Sequence, residues 1–262
     1  MQIKAKKSLG QNFLTDNNVL EKIINTVEIN NQEILEIGPG TGNLTEFILK
    51  KKPKKINVIE KDNNLSLLLK ERFNNKVNII NEDILNISEN KISKEKLTVF
   101  GNLPYNISTE ILTRWIGNIG KEFWFTKLIL MFQKEVADRI IAKSNTSNYG
   151  RLSILSNWKL DVEKIMDVKA NSFYPKPKID SSLLIFSPKD TFFEIKNAKN
   201  LEKITRIFFN QRRKMIKKPF NQIFNNSNKI SEKLNINLNL RPQNLSPELY
   251  FQITKEYENL IS

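Results

Sequence analysis

The sequence predicts an α/β fold, in which a mostly parallel β-sheet carries helices on both faces and is followed by a small basic helical domain. Two observations lead to this prediction. Between residues 33 and 187, short runs rich in apolar and β-branched residues alternate with segments of helical spacing, and strands connected through helices pair in parallel. After residue 187 the strand-like runs stop, and apolar residues recur every three or four positions, as in amphipathic helices.

The short apolar runs predict a seven-stranded sheet. The expected strands are 34–37, 56–59, 77–80, 97–100, 127–131, 162–168 and 182–186. Helical spacing predicts helices over 44–51, 65–73 and 109–116, and a further helix after Gly150. A proline-bearing loop separates the last two strands, so we expect them to form an antiparallel end of the sheet.

A boundary is predicted at Ser187-Pro188-Lys189-Asp190, which gives domains 1–187 and 188–262. The second segment contains 14 Lys and Arg residues against 7 Asp and Glu residues, half of the net charge of the chain. A small, basic, helical domain that contacts nucleic acid is therefore expected.

Composition narrows the classes of function. The formal net charge is +14, which favours a polyanionic partner, nucleic acid before an anionic membrane surface. Cysteine and histidine are absent, which excludes disulfides, Cys/His zinc sites, thiol nucleophiles and histidine acid–base catalysis. No carboxylate spacing predicts a metal site. No apolar run is long enough to cross a membrane, and the basic start lacks the apolar stretch of a signal peptide, so a cytoplasmic protein is expected.

A glycine-rich turn follows the first strand of the sheet. Glu36–Gly42 reads EIGPGTG, with glycines at 38, 40 and 42. Such a loop lets the backbone turn tightly and approach a ligand, although a turn needed only for packing would look similar. Its G-x-G-x-G spacing differs from the G-x-G-x-x-G of dinucleotide enzymes.

Acidic residues follow the next two strands. Glu60 ends the second strand, 22 residues after Gly38, where an acid can bind both ribose hydroxyls of an adenosine-bearing cofactor. Asp83 ends the third, where a carboxylate can read the adenine edge. Each acid alone fits a solvated loop charge better than a ligand contact, but together with the glycine loop they predict one cofactor pocket at the sheet edge.

The fourth strand ends in Asn102-Leu103-Pro104-Tyr105. The exocyclic amine of adenine is a poor nucleophile because its lone pair is delocalised into the ring. The side-chain carbonyl of Asn102 and the backbone carbonyl of Leu103 can accept its two N–H groups and localise the lone pair, while Tyr105 stacks on the base. An ordinary Asn-Pro turn is the alternative.

Taken together, several blocks of this chain resemble the ribosomal RNA adenine dimethyltransferases, most closely the bacterial small-subunit branch of the kasugamycin-resistance type. The resemblance spans residue 4 to at least 215 in seven blocks: KSLGQNFL (7–14), EIGPGTG (36–42), GNLPYNIST (101–109), FQKEV (132–136), YGRLS (149–153), FYPKPKIDS (173–181) and FNQRRK (209–214). It implies a Rossmann-like class I methyltransferase domain, S-adenosylmethionine as methyl donor, and dimethylation at N6 of two adjacent adenosines in the 3′-terminal hairpin of 16S rRNA within the immature 30S subunit. A monomer is expected.

The resemblance also assigns roles to individual positions. The implied cofactor contacts are Asn12, Leu14, Gly38, Glu60, Asp83 and Asn102. The implied target-base pocket is formed by Asn102, Leu103, Pro104 and Tyr105, with Phe173 covering the other face of the adenine. Phe173 is also consistent with a core aromatic that anchors a proline loop.

RNA contacts are predicted from charge at the pocket mouth and in the small domain. The residues are Lys176, Lys178, Arg212, Arg213, Lys214, Lys217 and Lys218. The family usually continues the FNQRRK block with an Arg-Asn-Ser-like run, whereas this chain has Ile216-Lys217-Lys218-Pro219, and the last 45 or so residues match loosely.

Three other functions are compatible with parts of this pattern. A macrolide-resistance methyltransferase of the large subunit shares the core and differs in its RNA substrate. A DNA adenine methyltransferase would usually carry a target-recognition insertion that finds no place here. An assembly or transcription factor could keep the fold without catalysis, but the intact glycine loop, Glu60 and Asn102–Tyr105 argue against that.

Overall fold

The computed structural model describes residues 5–88, 92–120 and 122–261. Its strands are β1 (Phe13–Leu14), β2 (Glu33–Ile37), β3 (Lys55–Ile59), β4 (Asn78–Ile80), β5 (Leu97–Gly101), β6 (Phe125–Gln133), β7 (Leu160–Val168), β8 (Phe173–Tyr174) and β9 (Ser181–Pro188). Its α-helices are α1 (Asn17–Ile24), α2 (Asn43–Lys50), α3 (Asn63–Phe73), α4 (Ser108–Asn118), α5 (Lys134–Ile140), α6 (Arg151–Lys159), α7 (Ala198–Phe209), α8 (Lys217–Ile223), α9 (Ser227–Lys233) and α10 (Pro247–Ile261).

A seven-stranded sheet has the order β4-β3-β2-β5-β6-β9-β7. The pairs from β4 to β6 are parallel, and β9 is antiparallel to β6. The predicted mostly parallel sheet with an antiparallel last strand is therefore confirmed, and each predicted strand overlaps an observed one. Strand order reverses between β2 and β5, the position at which open α/β sheets bind their ligands beyond the carboxyl ends of the strands.

The centre of the sheet is covered on both faces. Ile34, Leu35 and Ile37 of β2 are at most 2% exposed, and every residue of β5 is buried. Continuous apolar strands of this kind are typical of parallel sheets with helices on both faces. Amphipathic α2 buries Leu44 and Ile48 in the same hydrophobic cluster as Ile34.

A two-stranded ribbon was not predicted. β1 and β8 pair antiparallel, with Phe13 opposite Tyr174 and Leu14 opposite Phe173. A backbone hydrogen bond from the Thr15 amide to the Ser172 carbonyl (2.9 Å) continues the pairing. Strands of two residues carry too little periodicity to be recognised in a sequence.

Two compact units divide the described residues. The sheet unit comprises the described parts of Met1–Leu112, Ile119–Ala137 and Glu163–Pro188, and the helical unit comprises Thr113–Asn118, Asp138–Val162 and the described part of Lys189–Ser262. The helical unit thus also draws on segments before the strand β9. The domain boundary at 187/188 stays a prediction.

Aromatic packing and one buried acid organise the helical unit. Phe208 of α7 packs edge-on against Tyr250 of α10, with ring centroids 5.5 Å apart. The carboxylate of Glu258, 3% exposed, accepts hydrogen bonds from the amides of Lys196 and Asn197, at 2.9 Å each, just before α7 begins. This acid therefore serves the packing of the unit, because it satisfies amides that the helix leaves unpaired.

Across the described ranges, the structure contains no helix that is long and apolar enough to span a membrane.

Candidate active site

One pocket lies beyond the carboxyl ends of β2, β3, β4 and β5. It is lined by residues that follow each of these strands within a few positions, together with the segment before and within β1. Of the predicted catalytic and cofactor residues, the lining includes Asn12, Leu14, Gly38, Glu60, Asp83, Asn102, Leu103, Pro104 and Tyr105. The structure therefore brings together residues from five of the separate sequence segments in which they were predicted.

The glycine loop needs glycine for two physical reasons. Gly40 and Gly42 have φ angles of +59° and +83°, which side chains rarely adopt. A Cβ atom on Gly40 would also lie 2.7 Å from Cδ1 of Phe13, and one on Gly42 would lie 2.5 Å from Cε2 of Phe73. The loop backbone is thus packed directly against an aromatic ring of β1 on one side and of α3 on the other.

Glu60 links this loop to the end of β3. Its Oε2 accepts a hydrogen bond from the Gly40 amide at 3.2 Å, and its Oε1 accepts one from the Asp62 amide at 2.8 Å. The side chain is 6% exposed, and burial raises the pKa of its carboxyl although these amides oppose the shift. The Lys61 amide also hydrogen-bonds this carboxylate. A carboxylate has about four acceptor positions, so at least one remains to bind a ribose hydroxyl.

Asp83 begins a short 3-10 turn at the end of β4. Its Oδ1 accepts a hydrogen bond from the Leu85 amide at 3.0 Å, and its Oδ2 pairs with the Lys61 ammonium at 2.7 Å. The carboxylate is therefore held in place at the pocket wall by a turn and by an ion pair. Leu85, beside it, adds an apolar side chain to the lining.

The amide of Asn102 has a defined orientation. Its Nδ2 donates to the backbone carbonyl of Asn12 at 2.9 Å, so Oδ1 is the atom left to accept. Among the residues that the structure describes, none donates a hydrogen bond to this Oδ1 or to the carbonyl oxygen of Leu103. Leu103 as a whole is 1% exposed, and it belongs to the lining of the pocket. Two consecutive residues thus offer two acceptors.

Tyr105 is fixed at its hydroxyl end. The hydroxyl lies 2.7 Å from Oγ of Ser181, the first residue of β9. Burial raises the pKa of the Tyr105 phenol, with the Ser181 hydrogen bond opposing, so the hydroxyl stays protonated. The ring lines the pocket while its polar end is satisfied elsewhere.

Phe173 lies outside the pocket lining. Its side chain is 3% exposed and belongs to the hydrophobic cluster that also contains Leu14 and Val168. Alternation along β8 explains this, because neighbouring residues of a strand point to opposite sides. The structure places Phe173 as a core residue that anchors the proline loop, and the covering of an adenine by its ring stays a prediction.

Glu36 is a pocket residue that the sequence analysis named only as part of the glycine motif. It is 2% exposed, it lines the pocket, and its Oε2 accepts a hydrogen bond from the Thr45 hydroxyl at 2.6 Å. Burial raises the pKa of Glu36 to about 7, with the Thr45 hydrogen bond opposing and the Glu60 charge adding to the shift. A charged residue inside the apolar run Ile34–Ile37 was the signal that could have identified it.

The segment before β1 is tied to the acidic loop after β3. Lys6 Nζ and Gln11 Nε2 donate to the two carboxylate oxygens of Asp62 at 2.9 and 3.0 Å. Asn43 donates from Nδ2 to the Leu14 carbonyl at 2.8 Å. The pocket wall that contains Asn12 is therefore held at both ends by polar contacts, which sequence spacing did not reveal.

The predicted RNA-binding residues of the helical unit do not share one role. Arg212 is half-buried and donates to the Ser147 carbonyl and, at 3.4 Å, to the Thr146 carbonyl, so it holds a loop of its own unit. Arg213, Lys214, Lys217 and Lys218 are exposed, and no carboxylate among the described residues lies within salt-bridge distance of them. Nucleic-acid contact by these residues stays a prediction.

Comparison with known proteins decides the family. The model of the ribosomal RNA adenine dimethylase family matches residues 2–259 of this chain. The chain belongs to this family. It is 67% identical to "Ribosomal RNA small subunit methyltransferase A" of Pelagibacter ubique (strain HTCC1062), over 99% of each chain. It is 45% identical to the protein of the same name from Ehrlichia ruminantium (strain Gardel), over 96% of each.

Solved structures agree with the family fold. A dimethyladenosine transferase from Plasmodium falciparum superposes with a TM-score of 0.80 at 28% identity, over 94% of this chain and 98% of that one. The 23S rRNA methyltransferase ErmE superposes with a TM-score of 0.69 at 20% identity, over 94% of this chain and 100% of that one, which shows the shared fold. The Rossmann-like class I methyltransferase fold is thereby confirmed.

This family member is an enzyme that methylates adenine in ribosomal RNA with S-adenosylmethionine. The DNA methyltransferase and the non-enzymatic factor are accordingly set aside. The chemistry of the pocket residues suits S-adenosylmethionine. One pocket is lined by a buried carboxylate with an unused acceptor position, by a close-packed glycine loop, and by the apolar residues Leu14 and Leu85. These groups match ribose hydroxyls, a main chain that approaches the ligand closely, and an adenine ring.

Proposed function

We propose that this enzyme dimethylates N6 of two adjacent adenosines in the 3′-terminal hairpin of 16S rRNA, within the immature 30S subunit. Two relatives that match 96% or more of this chain carry the name of a small-subunit methyltransferase. This supports RNA of the small subunit as the substrate rather than RNA of the large subunit. The enzyme acts as a monomer in the cytoplasm, where small subunits of bacteria are assembled.

The two unpaired acceptors beside β5 carry the proposal. Oδ1 of Asn102 and the carbonyl oxygen of Leu103 accept the two N–H groups of the adenine amine, which localises the nitrogen lone pair outside the ring. When bound, S-adenosylmethionine supplies an electrophilic methyl group. Glu60 and the glycine loop hold the cofactor, and the ring of Tyr105 stacks on the base, so both reactants have a fixed orientation.

Dimethylation imposes a further requirement on these acceptors. After the first methylation N6 retains one N–H, which one of the two acceptors can still bind. The proton leaves after methyl transfer, when the nitrogen is cationic and acidic, so no dedicated base is needed. This agrees with a chain that lacks histidine and cysteine altogether.

The test is methyl transfer from labelled S-adenosylmethionine to purified ribosomal particles that lack the modification. We expect label in 30S particles, and mass spectrometry of the 16S 3′ fragment should find N6,N6-dimethyladenosine at two neighbouring positions. Unmodified 50S particles are the matched control. Label in 50S alone would overturn the small-subunit assignment, and a single modified position would overturn the pair of adenosines. Sedimentation of the free enzyme as a dimer would contradict the monomer.

A further inference from the structure

Tyr174 combines features that the methylation chemistry does not use. Its side chain is 65% exposed, and across residues 5–88, 92–120 and 122–261 it is the one aromatic side chain classed as exposed. A single exposed aromatic residue is ordinary on a protein surface, so its surroundings decide whether it has a binding role.

Its place in the ribbon puts the ring on the same side as Phe13, which lines the pocket. Tyr174 lies directly opposite Phe13 across the antiparallel pair, and residues opposite each other project on the same side of a ribbon. Phe13 lines the pocket and packs against Gly40. Phe173 and Leu14, the other pair, belong to the hydrophobic cluster, and Leu14 also lines the pocket. The ring of Tyr174 therefore stands beside the pocket rather than inside it.

The loop that carries the ring is held firmly at both ends. Before it, the Ser172 hydroxyl donates to Asp16 Oδ2 at 3.0 Å. After it, Asp180 accepts the Ala170 amide at 3.0 Å and the Lys169 ammonium at 2.9 Å. Pro175 and Pro177 further restrict the segment between. Because the loop is already ordered, the entropic cost of ordering it when a ligand binds to the ring is small.

The charges around the ring fit a nucleic acid. Lys176 and Lys178 are exposed, and neither has a carboxylate partner within salt-bridge distance in the described chain. An aromatic ring flanked by unpaired ammonium groups is the arrangement that binds single-stranded nucleic acid, with the base on the ring and the phosphates on the cations.

We propose that Tyr174 stacks on the unpaired nucleobase adjacent to the target adenosine, while Lys176 and Lys178 bind the flanking phosphates. This inference rests on the proposed function, because two adjacent target adenosines require the enzyme to accommodate one base while it methylates the other. The Tyr174 ring holds that neighbouring base away from the stacked bases of the RNA.

The experiment measures the affinity of the full-length enzyme for unmodified 30S particles at several salt concentrations. Tyr174→Ala should raise Kd by about 5- to 150-fold, the range for loss of one base–aromatic stack, and should leave the salt slope unchanged. Tyr174→Phe and Tyr174→Trp should keep the wild-type Kd within about twofold, because each retains a stacking ring. Lys176→Gln with Lys178→Gln should instead flatten the slope by up to about two phosphate contacts.

Matched controls separate stacking from general effects. Leu67→Ala removes a side chain that is 59% exposed on α3 of the same unit and should leave Kd unchanged. Thermal unfolding of each variant checks the fold, and single-turnover methyl transfer at saturating enzyme and cofactor should stay near the wild-type rate in Tyr174→Ala.

The outcomes distinguish this inference from the function on which it rests. A wild-type enzyme that neither binds nor methylates 30S particles would refute the proposed function. A normal wild type with an unchanged Kd in Tyr174→Ala would refute the Tyr174 surface alone. A lower rate at saturation with an unchanged Kd would also refute it, because Tyr174 would then act on the reacting base.

Discussion

Asn102 donates its side-chain N–H to the backbone carbonyl of Asn12 at 2.9 Å, across 90 positions of sequence. This bond joins the residue that we propose as an acceptor for the target amine to the pocket wall that contains Asn12. It also determines which end of the Asn102 amide is available as an acceptor. One hydrogen bond thus connects the proposed acceptor to the segment before β1.

Replacing Asn102 is expected to affect the rate more than RNA binding. Asn102→Ala removes a pre-organised acceptor, a loss typically worth about 100- to 1,000-fold in rate. RNA affinity, which phosphate contacts dominate, should change little. The measurement is single-turnover methyl transfer at saturating cofactor and 30S particles, with affinity determined in parallel. A near-normal rate in a folded Asn102→Ala variant would remove the proposed acceptor from the mechanism.

Tyr105 is expected to act through its ring. Tyr105→Ala should lose stacking worth roughly 1–3 kcal/mol. Tyr105→Phe keeps the ring and loses only the contact to Ser181, so it should retain much more activity. Ser181→Ala is the matched control, since it removes the same hydrogen bond from the other side and should resemble Tyr105→Phe. Equal losses in Tyr105→Phe and Tyr105→Ala, measured by single-turnover kinetics, would contradict a stacking role.

Glu60 is expected to control cofactor affinity. Glu60→Ala should weaken S-adenosylmethionine binding by about 1.5–3 kcal/mol, the range for a hydrogen bond to a charged group. It also frees the Gly40 and Asp62 amides. Glu60→Gln keeps one oxygen acceptor, so its affinity for the cofactor should lie between those of the wild type and of Glu60→Ala. Calorimetry decides this prediction, and an unchanged affinity in folded Glu60→Ala would show that the carboxylate serves the loop alone.

Glu36 is expected to make stability depend on pH. Its pKa rises from the ordinary 4.5 to about 7 in the folded chain, so over that range the folded state holds a proton that the unfolded state has released. Stability should therefore fall as the pH rises from about 4.5 to about 7. Glu36→Gln should remove this loss and gain up to about 3 kcal/mol above pH 7, with little gain at pH 4.

Urea unfolding at pH 4 and pH 8, without cofactor, measures this effect. Glu71→Gln, at an exposed acid of α3, is the control and should shift both values little. A Glu36→Gln variant with the wild-type pH dependence would show that Glu36 titrates near its ordinary value.

The exposed cations of the helical unit are expected to bind phosphates. Changing Arg213, Lys214, Lys217 and Lys218 to Gln should weaken binding to 30S particles and flatten its salt dependence by up to about four contacts. Arg212 is left in place because it holds the loop at Thr146 and Ser147. The matched control removes the same charge from the sheet unit, at Lys51, Lys55, Lys70 and Lys76. Equal effects of both sets would indicate a dependence on net charge alone.

The sequence predicted the sheet because its strands bury both faces and therefore appear as continuous apolar runs, as in Ile34–Ile37 and Leu97–Phe100. It predicted the pocket because strand ends of a parallel sheet converge at one edge, so that Gly38, Glu60, Asp83 and Asn102 became neighbours. The ionic contact from Lys6 to Asp62 and the pairing of β1 with β8 depend on tertiary position, which no local pattern encodes.

Phe173 and Tyr174 illustrate the limit of motif-based assignment. The motif drew attention to Phe173, while alternation in β8 buries that ring and exposes the next one. Arg212 is similar, because a basic run predicts charge but does not tell which member of the run bonds to its own backbone.

The pairing of β1 with β8 has a consequence for the order of events during synthesis. Thr15 leaves the ribosome 157 residues before Ser172, its bonding partner. Until then the pocket wall around Asn12 lacks the ribbon that supports it, and closing so long a loop carries an entropic cost. Cofactor capture should accordingly be among the last abilities that the nascent chain acquires. Photo-crosslinking of S-adenosylmethionine to stalled nascent chains should appear only after residue 174 has emerged from the exit tunnel.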